Sequence, residues 1–287
     1  MTAAAASAVL PGLAPCAAAT EEHRRHAELL TSQVASARAA SAWAKTVRAA
    51  LARGTALSRL SASLPREEVG GMAAAAGLRL ACRRGCAACC AYAVAASPLE
   101  VLNLAGYLRA TRTEAELGAL RRRLAARIAG ADQADRAPDG SLLGWGSPCA
   151  LLSEDGACSV YRHRPLACVG YNSLDAAACE DPGGRHPFYG PQEHAARVIE
   201  VGTSVGAELA GLDGAPLELT LGLAAALADP QIEAKWRRGE DVFAAARVVH
   251  GPGLLGAAWA ETRALVRRRL PVLRGDAAPA AEGGEHG

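Results

Sequence analysis

Aromatic residues make up only 4% of this 287-residue chain, and of its 31 basic residues just Lys45 and Lys235 are lysine. Such scarcity argues against a large sheet protein, which draws on Val, Ile, Thr and aromatic side chains. Charge of one sign is also missing: the formal net charge is +2. An avid binder of nucleic acid or of a membrane surface carries a clustered excess, so neither partner is expected. No run of 18 apolar residues exists, which excludes a transmembrane helix, and no collagen or heptad repeat is present. Glycine-rich phosphate loops, His-Glu-x-x-His and Gly-x-Ser-x-Gly are absent as well.

What the chain does hold is alanine, 69 residues of it, and arginine. Both lose little conformational freedom in a helix, so the expected class is mainly α. The length suffices for one or two domains with a core able to fold unaided. Residues 1–20 read as a loose arm. Glu21–Arg53 carries Leu29, Val34, Trp43, Val47 and Leu51 at helical spacing, and Gly54 is a stop. A second helix is expected from Pro65 to Gly77. Ser97-Pro98-Leu99-Glu100 has the form of a helix start, with a capping hydroxyl, Pro at the first helical position and Glu three residues after the cap. Thr113 to Glu116 repeats that signal, and the Arg121–Arg123 run on the helix it opens reads as a solvated face. Gly130–Pro148 reads as loop, and Cys149–Tyr189, interrupted by Pro165, Pro182 and Pro187, is the least helical part. Helices are expected again over 192–212, 216–227, 230–238, 241–248 and 252–270, with a disordered tail over 275–287. The organisation expected is thus a loose arm (1–20), N-terminal helices (21–77), a cysteine domain (78–190), C-terminal helices (191–274) and a tail (275–287).

Against this plain background stand nine cysteines, eight of them between residues 82 and 179. A disulfide framework and thiolate ligation of metal are the competing causes. Met1–Thr20 has no Lys or Arg ahead of its mildly apolar stretch, so a secretory signal is not expected. The Leu13–Cys16 stretch resembles a lipoprotein cleavage site only faintly. A cytoplasmic setting makes metal or catalytic cysteine the default.

Cys82, Cys86, Cys89 and Cys90 recur at i, i+4, i+7 and i+8, offsets that share one face of a regular helix. Gly85 allows a second arrangement, with Cys82 in a turn. Adjacent Cys89 and Cys90 cannot easily address one ion, which implies a paired or polynuclear site, or one non-ligand. Cys149, Cys158, Cys168 and Cys179 are spread over loops and converge only in a fold. Eight thiolates can serve two tetrahedral zinc ions, or one or two iron–sulfur clusters. Arg83, Arg84, Arg162 and Arg164 are placed to offset thiolate charge. His163, His186 and His194 are alternate ligands that eight sulfurs make unnecessary, and His23 with His26 reads as a surface pair. Asp175, Glu180, Asn172 and Ser173 are polar neighbours of the cysteines.

Two blocks carry a family resemblance. Cys82-Arg83-Arg84-Gly85-Cys86-Ala87-Ala88-Cys89-Cys90 is followed by the Ser97–Glu100 helix start. Cys158-Ser159-Val160-Tyr161-Arg162-His163-Arg164-Pro165-Leu166-Ala167-Cys168 is preceded by Pro148-Cys149 and closed by Cys179. Together they resemble the YkgJ-type cysteine-cluster proteins, the CxxCxxCC family of zinc- or iron-chelating domains. Two departures stand out: the first spacing is Cys-x3-Cys, and Val169 follows Cys168 where many members have Arg. The resemblance implies that Cys82, Cys86, Cys89, Cys90, Cys149, Cys158, Cys168 and Cys179 hold zinc or iron, the iron as an ion or as an iron–sulfur cluster. A metal ion is then the expected partner, with a protein partner open. The other function the resemblance admits is an iron–sulfur-dependent modification enzyme, since protein lysine N-methylases carry a similar cluster.

Overall fold

A computed structural model describes residues 21–130, 145, 147–180, 187–247 and 263–268, with the side chains of 21–34 left aside. The arm over 1–20, Cys16, His186, the tail over 275–287 and most of the 252–270 segment lie outside the described residues, as do the side chains of His23 and His26. The fold is mainly α. Two compact units divide the chain, Met1–Ser36 and Ala37–Gly287. The described part of the first is helical.

The sequence pattern places the helices well. The first is α1 (Glu21–Ala52), followed by the short α2 (Leu57–Ala62), which sequence reasoning missed, and α3 (Arg66–Ala75). Gly54 and Gly77, both at positive φ, follow α1 and α3. Next come α4 (Pro98–Thr111) and α5 (Glu114–Ala129), each opened by a complete capping box, Ser97 with Glu100 and Thr113 with Glu116. The Arg121–Arg123 run is exposed, as expected. After the cysteine-rich segment with its short α6 (Leu166–Gly170) and α7 (Ala176–Glu180) come α8 (Gly190–Leu209), α9 (Leu219–Ala228) and α10 (Ile232–Arg237).

The helix expected over 241–248 is not formed within its described residues. A 3-10 turn, Ala244–Ala246, stands there instead. Arg247 leaves it to bridge Leu217 and to pair with Asp213 and Asp241, so tertiary pairing overrides the alanine propensity.

The only regular strands among the described residues are β1 (Ala95–Ala96) and β2 (Leu217–Glu218), paired antiparallel with Ala95 opposite Glu218. Glu218 is buried and serves four partners, one of them the Thr220 hydroxyl at 3.4 Å. Its carboxylate caps α9 by accepting from Leu221 N at 3.0 Å, and it also accepts from Trp145 Nε1 at 2.9 Å and Val94 N at 3.5 Å. At the far end of α9, Arg109 donates to the carbonyls of Ala226 and Asp229, satisfying groups that a helix end leaves open.

The main core gathers Leu99, Leu102, Leu104 and Leu108 of α4, Leu117, Leu120 and Leu124 of α5, and Leu223 and Leu227 of α9. A second cluster joins Ala40 and Ala44 of α1 to Val198, Val201 and Val205 of α8. Backbones approach closely there: a Cβ on Gly206 would lie 2.7 Å from both Ala44 O and Val47 Cβ. Gly206→Ala is therefore expected to cost about 1–3 kcal/mol through overpacking, read as a lower denaturation midpoint at unchanged slope.

Glu200 of α8 is buried on the side of the helix that faces Glu100 of α4 and Ala167 of α6. Burial pushes its carboxyl well above the ordinary value of 4.5, and the charge of Glu100 adds to the shift. Its Oε1 has no hydrogen-bond partner among the described residues. The folded chain thus binds a proton here that the unfolded chain releases above about pH 4.5. Stability from this group is present at low pH and declines as pH rises through the folded-state value. Glu200→Gln is expected to flatten that decline and to be more stable than wild type at pH 8 but not at pH 4, as denaturant titrations at the two pH values would show.

Candidate metal centre

Local backbone geometry settles how the first cysteine group is built. Ala81 N donates to Ser173 O at 2.9 Å, anchoring the segment, and Cys82 follows in irregular, exposed backbone. A turn closes with Cys86 N donating to Arg83 O at 3.0 Å, and Gly85 occupies it at φ 84°, a conformation a side chain would oppose. A 3-10 turn, Ala88–Ala91, then carries Cys89 and Cys90. The four thiols therefore do not share one α-helical face. The turn arrangement replaces it, and in a 3-10 helix successive side chains diverge by about 120°.

The second group is fixed by nonlocal contacts. Leu152 N donates to Cys149 O at 3.1 Å, and Leu152 and Cys158 form an isolated antiparallel bridge around the Ser153–Gly156 turn. Cys149 and Cys158 pack against the main core. Cys168 sits in α6, whose position is set by two groups from the helical frame, the buried Glu100 and the partly buried Arg66. Leu166 N donates to Glu100 Oε1 at 2.9 Å, and Arg66 Nε donates to Arg164 O at 3.0 Å. Arg66 and Glu100 also pair with each other at 3.4 Å. Cys179 lies on α7, which packs on the 3-10 turn of Cys89 and Cys90, and its thiol donates to Asp175 O at 3.5 Å.

Ser173 links the two groups. Its N–H donates to Cys82 Sγ at 3.3 Å, and its hydroxyl donates to Asp175 O at 2.7 Å. Asn172 is a structural pin that donates to Gly170 O and Tyr189 O and accepts from Tyr189 N. The Asp175 carboxylate accepts from Ala177 N. His163 is stacked on Tyr107 with ring centroids 3.8 Å apart, and burial, with Arg66 nearby, holds its pKa below the ordinary value. His194 and Glu180 are exposed.

All eight cysteines are outside disulfides. Burial pushes the Cys149 thiol up to about 11 and the Cys158 and Cys168 thiols upward, Cys168 well above its ordinary value. A hydrogen bond with Cys89, then burial, raises Cys90. Burial raises Cys82, and the Ser173 N–H works in the opposite direction. Without metal these groups are therefore thiols at neutral pH.

Opposing this burial are two guanidinium groups, Arg164 acting on Cys82, Cys90, Cys158 and Cys168, and Arg127 acting on Cys90 and Cys149. Arg164 is one of the arginines the sequence suggests, whereas Arg83 and Arg162 are exposed and Arg84 faces Asp155. Arg127 of α5 escaped sequence reasoning. It is buried at 6% exposure, donates to Cys90 O at 3.3 Å and Tyr92 O at 3.5 Å, and lies 5.6 Å from the Trp145 ring centroid. Helical spacing from the core residues Leu120 and Leu124 marks it as inward-facing, the one signal that could have found it. Arg164 lies 3.9 Å over the Tyr161 ring. The Nε atoms of both arginines are buried without a hydrogen-bond partner among the described residues.

Those two orphaned cationic donors beside a set of thiols fit a group that brings negative charge, as thiolate-bound zinc, iron or an iron–sulfur cluster does. Among the described residues no three of His, Cys, Asp and Glu are disposed as a ready ligand set. The soft donor type and the unpaired guanidinium groups carry the fit, and closure of the sulfurs accompanies metal uptake in sites of this kind. No helix among the described residues is long and apolar enough to cross a membrane.

Residues 81–184 match the model of the CxxCxxCC family, described as a "putative zinc- or iron-chelating domain". That span is just over a third of the chain and contains all eight clustered cysteines. No curated protein and no solved structure matches the chain.

Proposed function

We propose that the matched segment is the chain's working part, a chelating module for zinc or iron framed by helices, with Cys82, Cys86, Cys89, Cys90, Cys149, Cys158, Cys168 and Cys179 as its ligands. In the iron form the metal is held as an iron–sulfur cluster. The observation that carries this reading is the pair of buried, unpartnered guanidinium Nε atoms, of Arg127 and Arg164, beside raised thiols. Buried cationic donors of this kind are expensive to leave unmatched, and four thiolates around a divalent ion bring about two negative charges to match them. Bound metal deprotonates the thiols outright, and Arg127 and Arg164 then stabilise the sulfur charge and fix its orientation. Eight reduced cysteines suit a reducing compartment, in keeping with a cytoplasmic location.

The test is thiol protection. In protein prepared without oxygen, the eight clustered cysteines are expected to resist native alkylation until a chelator is added. Rapid alkylation of all eight before chelation would refute the reading.

A further inference from the structure

We infer that Glu100 and Glu200 clamp α6 onto the helical frame as a proton-dependent latch, held closed by a proton on Glu200 and loosened as that proton leaves. The latch belongs to the packing of α6 on α4 and α8 and requires no metal. Its bearing on Cys168, which α6 carries, rests on the chelating reading.

A helix of five residues does not sustain itself in water, so α6 exists because its neighbours hold it. Ties at both ends do so. At its start, Leu166 N donates to Glu100 Oε1 at 2.9 Å, and the Ala167 N–H faces Glu200. At its end, the buried Gln192 donates to Val169 O at 2.9 Å, and Gly170 lies flush on α8, where a Cβ would sit 2.5 Å from that of Ala196. Buried carboxyl groups from two different helices therefore meet at consecutive N–H groups of α6.

Only Glu100 is equipped to hold a charge. It has Arg66 beside it at 3.4 Å and accepts from Leu166 N, Ser97 N and Ser97 Oγ. Glu200 has no such support: it is 7% exposed, and its Oε1 is without a hydrogen-bond partner among the described residues. The charges that reach it are those of Glu100, Arg197 and Glu193, and Arg197 is engaged by Glu193 at 2.6 Å. α6 brings no charged side chain, only the Cys168 thiol, while α3 directs Arg66 to Glu100 and α1 meets α8 through Ala40, Ala44 and Val47. The cavity beside Glu200, lined by Ala95, Ala96, Ser97, Ser204 and Pro216, leaves about 10 Å³ for a water centre, room for one molecule. The Ser204 hydroxyl is already given to Gly214 O. One water does not replace the hydration an ionised carboxylate loses on burial, so charge on Glu200 is relieved by opening the least self-supporting element packed on it, α6.

Opening is thereby linked to pH. With α6 closed, Glu200 keeps its proton above pH 4.5, and an opened α6 returns the carboxyl to that ordinary value. Closure is firmest near pH 4.5 and weakens by up to about tenfold per pH unit until the closed-state value is reached. Hydrogen exchange on the full-length protein, as purified, reads this at the backbone N–H groups of residues 166–170 once the intrinsic pH dependence of exchange is divided out. Wild-type protection there is expected to fall by up to about tenfold per pH unit between pH 5 and pH 8, with α6 exchanging ahead of α9 throughout. Glu200→Gln should remove the slope. Gln192→Ala should lower protection by one factor at every pH, because the tie it takes does not titrate. Protection of α6 that is constant with pH in wild type, a slope that Glu200→Gln retains, or exchange of α6 in step with α9 would overturn the latch while leaving metal binding intact. The expected slopes in protein that binds neither zinc nor iron would instead keep the latch and overturn its bearing on Cys168.

Discussion

Glu100→Ala is expected to destabilise the protein by about 3–5 kcal/mol. Glu100 is 3% exposed, and its carboxylate accepts from Leu166 N at 2.9 Å, Ser97 N at 3.1 Å and Ser97 Oγ at 3.0 Å while pairing with Arg66. Truncation removes a capping box, takes the carboxylate from the partly buried Arg66 and leaves the buried Leu166 N–H at the start of α6 without its partner. The Tyr161–Cys168 block thereby loses the anchor at Leu166, while Arg66, still held by Ser61, keeps its bond to the carbonyl of Arg164. A denaturant titration measures the loss of stability. Ser97→Ala, which removes only the hydroxyl of the same box, provides the scale at about 1 kcal/mol. Equal effects of the two substitutions would show that Glu100 is no more than a helix cap.

Stripping the metal is expected to have a still larger effect, confined to the cysteine segment. Residues 149–180 hold only short elements, the 3-10 turn Tyr161–His163 together with α6 and α7, and a segment of this kind draws its order from crosslinks. Structural zinc in small domains contributes on the order of 10 kcal/mol at neutral pH. Chelation should therefore expose the region around residues 81–184 to limited proteolysis while helical circular dichroism from α4, α5, α8 and α9 persists. Acid should act in the same direction. Burial raises the thiols of Cys149, Cys158 and Cys168, so uptake of metal displaces a proton from each ligand and affinity falls as pH falls. Each displaced proton weakens apparent affinity about tenfold per pH unit below neutrality. Identical protease patterns with and without chelator would show that the segment orders itself unaided.

The features legible in the sequence are those written in a few adjacent residues. The starts of α4 and α5 follow from Ser97 to Glu100 and Thr113 to Glu116 because capping is a contact across three positions. The loop-rich character of Cys149–Tyr189 follows from its prolines and the Ser153–Gly156 turn, and the cysteine blocks mark the residues that the family model matches. Contacts decided at long range are invisible there. Arg127 reaches Cys90 across 37 positions, and Glu100 reaches Leu166 across 66. The i, i+4, i+7, i+8 spacing of the first cysteines suggests a helix face, but Gly85 at positive φ and the tie from Ala81 to Ser173 turn the chain into a loop and a 3-10 turn. Likewise the alanines of 244–246 suggest an α-helix, and pairing of Arg247 with Leu217 and two aspartates holds them to a single turn.

The central claim is that the eight cysteines bind zinc or iron, and elemental analysis of anaerobically purified protein, paired with its visible absorption spectrum, tests it most directly. The account predicts stoichiometric zinc in colourless protein, or iron with acid-labile sulfide in brown protein. Folded protein that contains neither metal, even after anaerobic reconstitution with each, would contradict it.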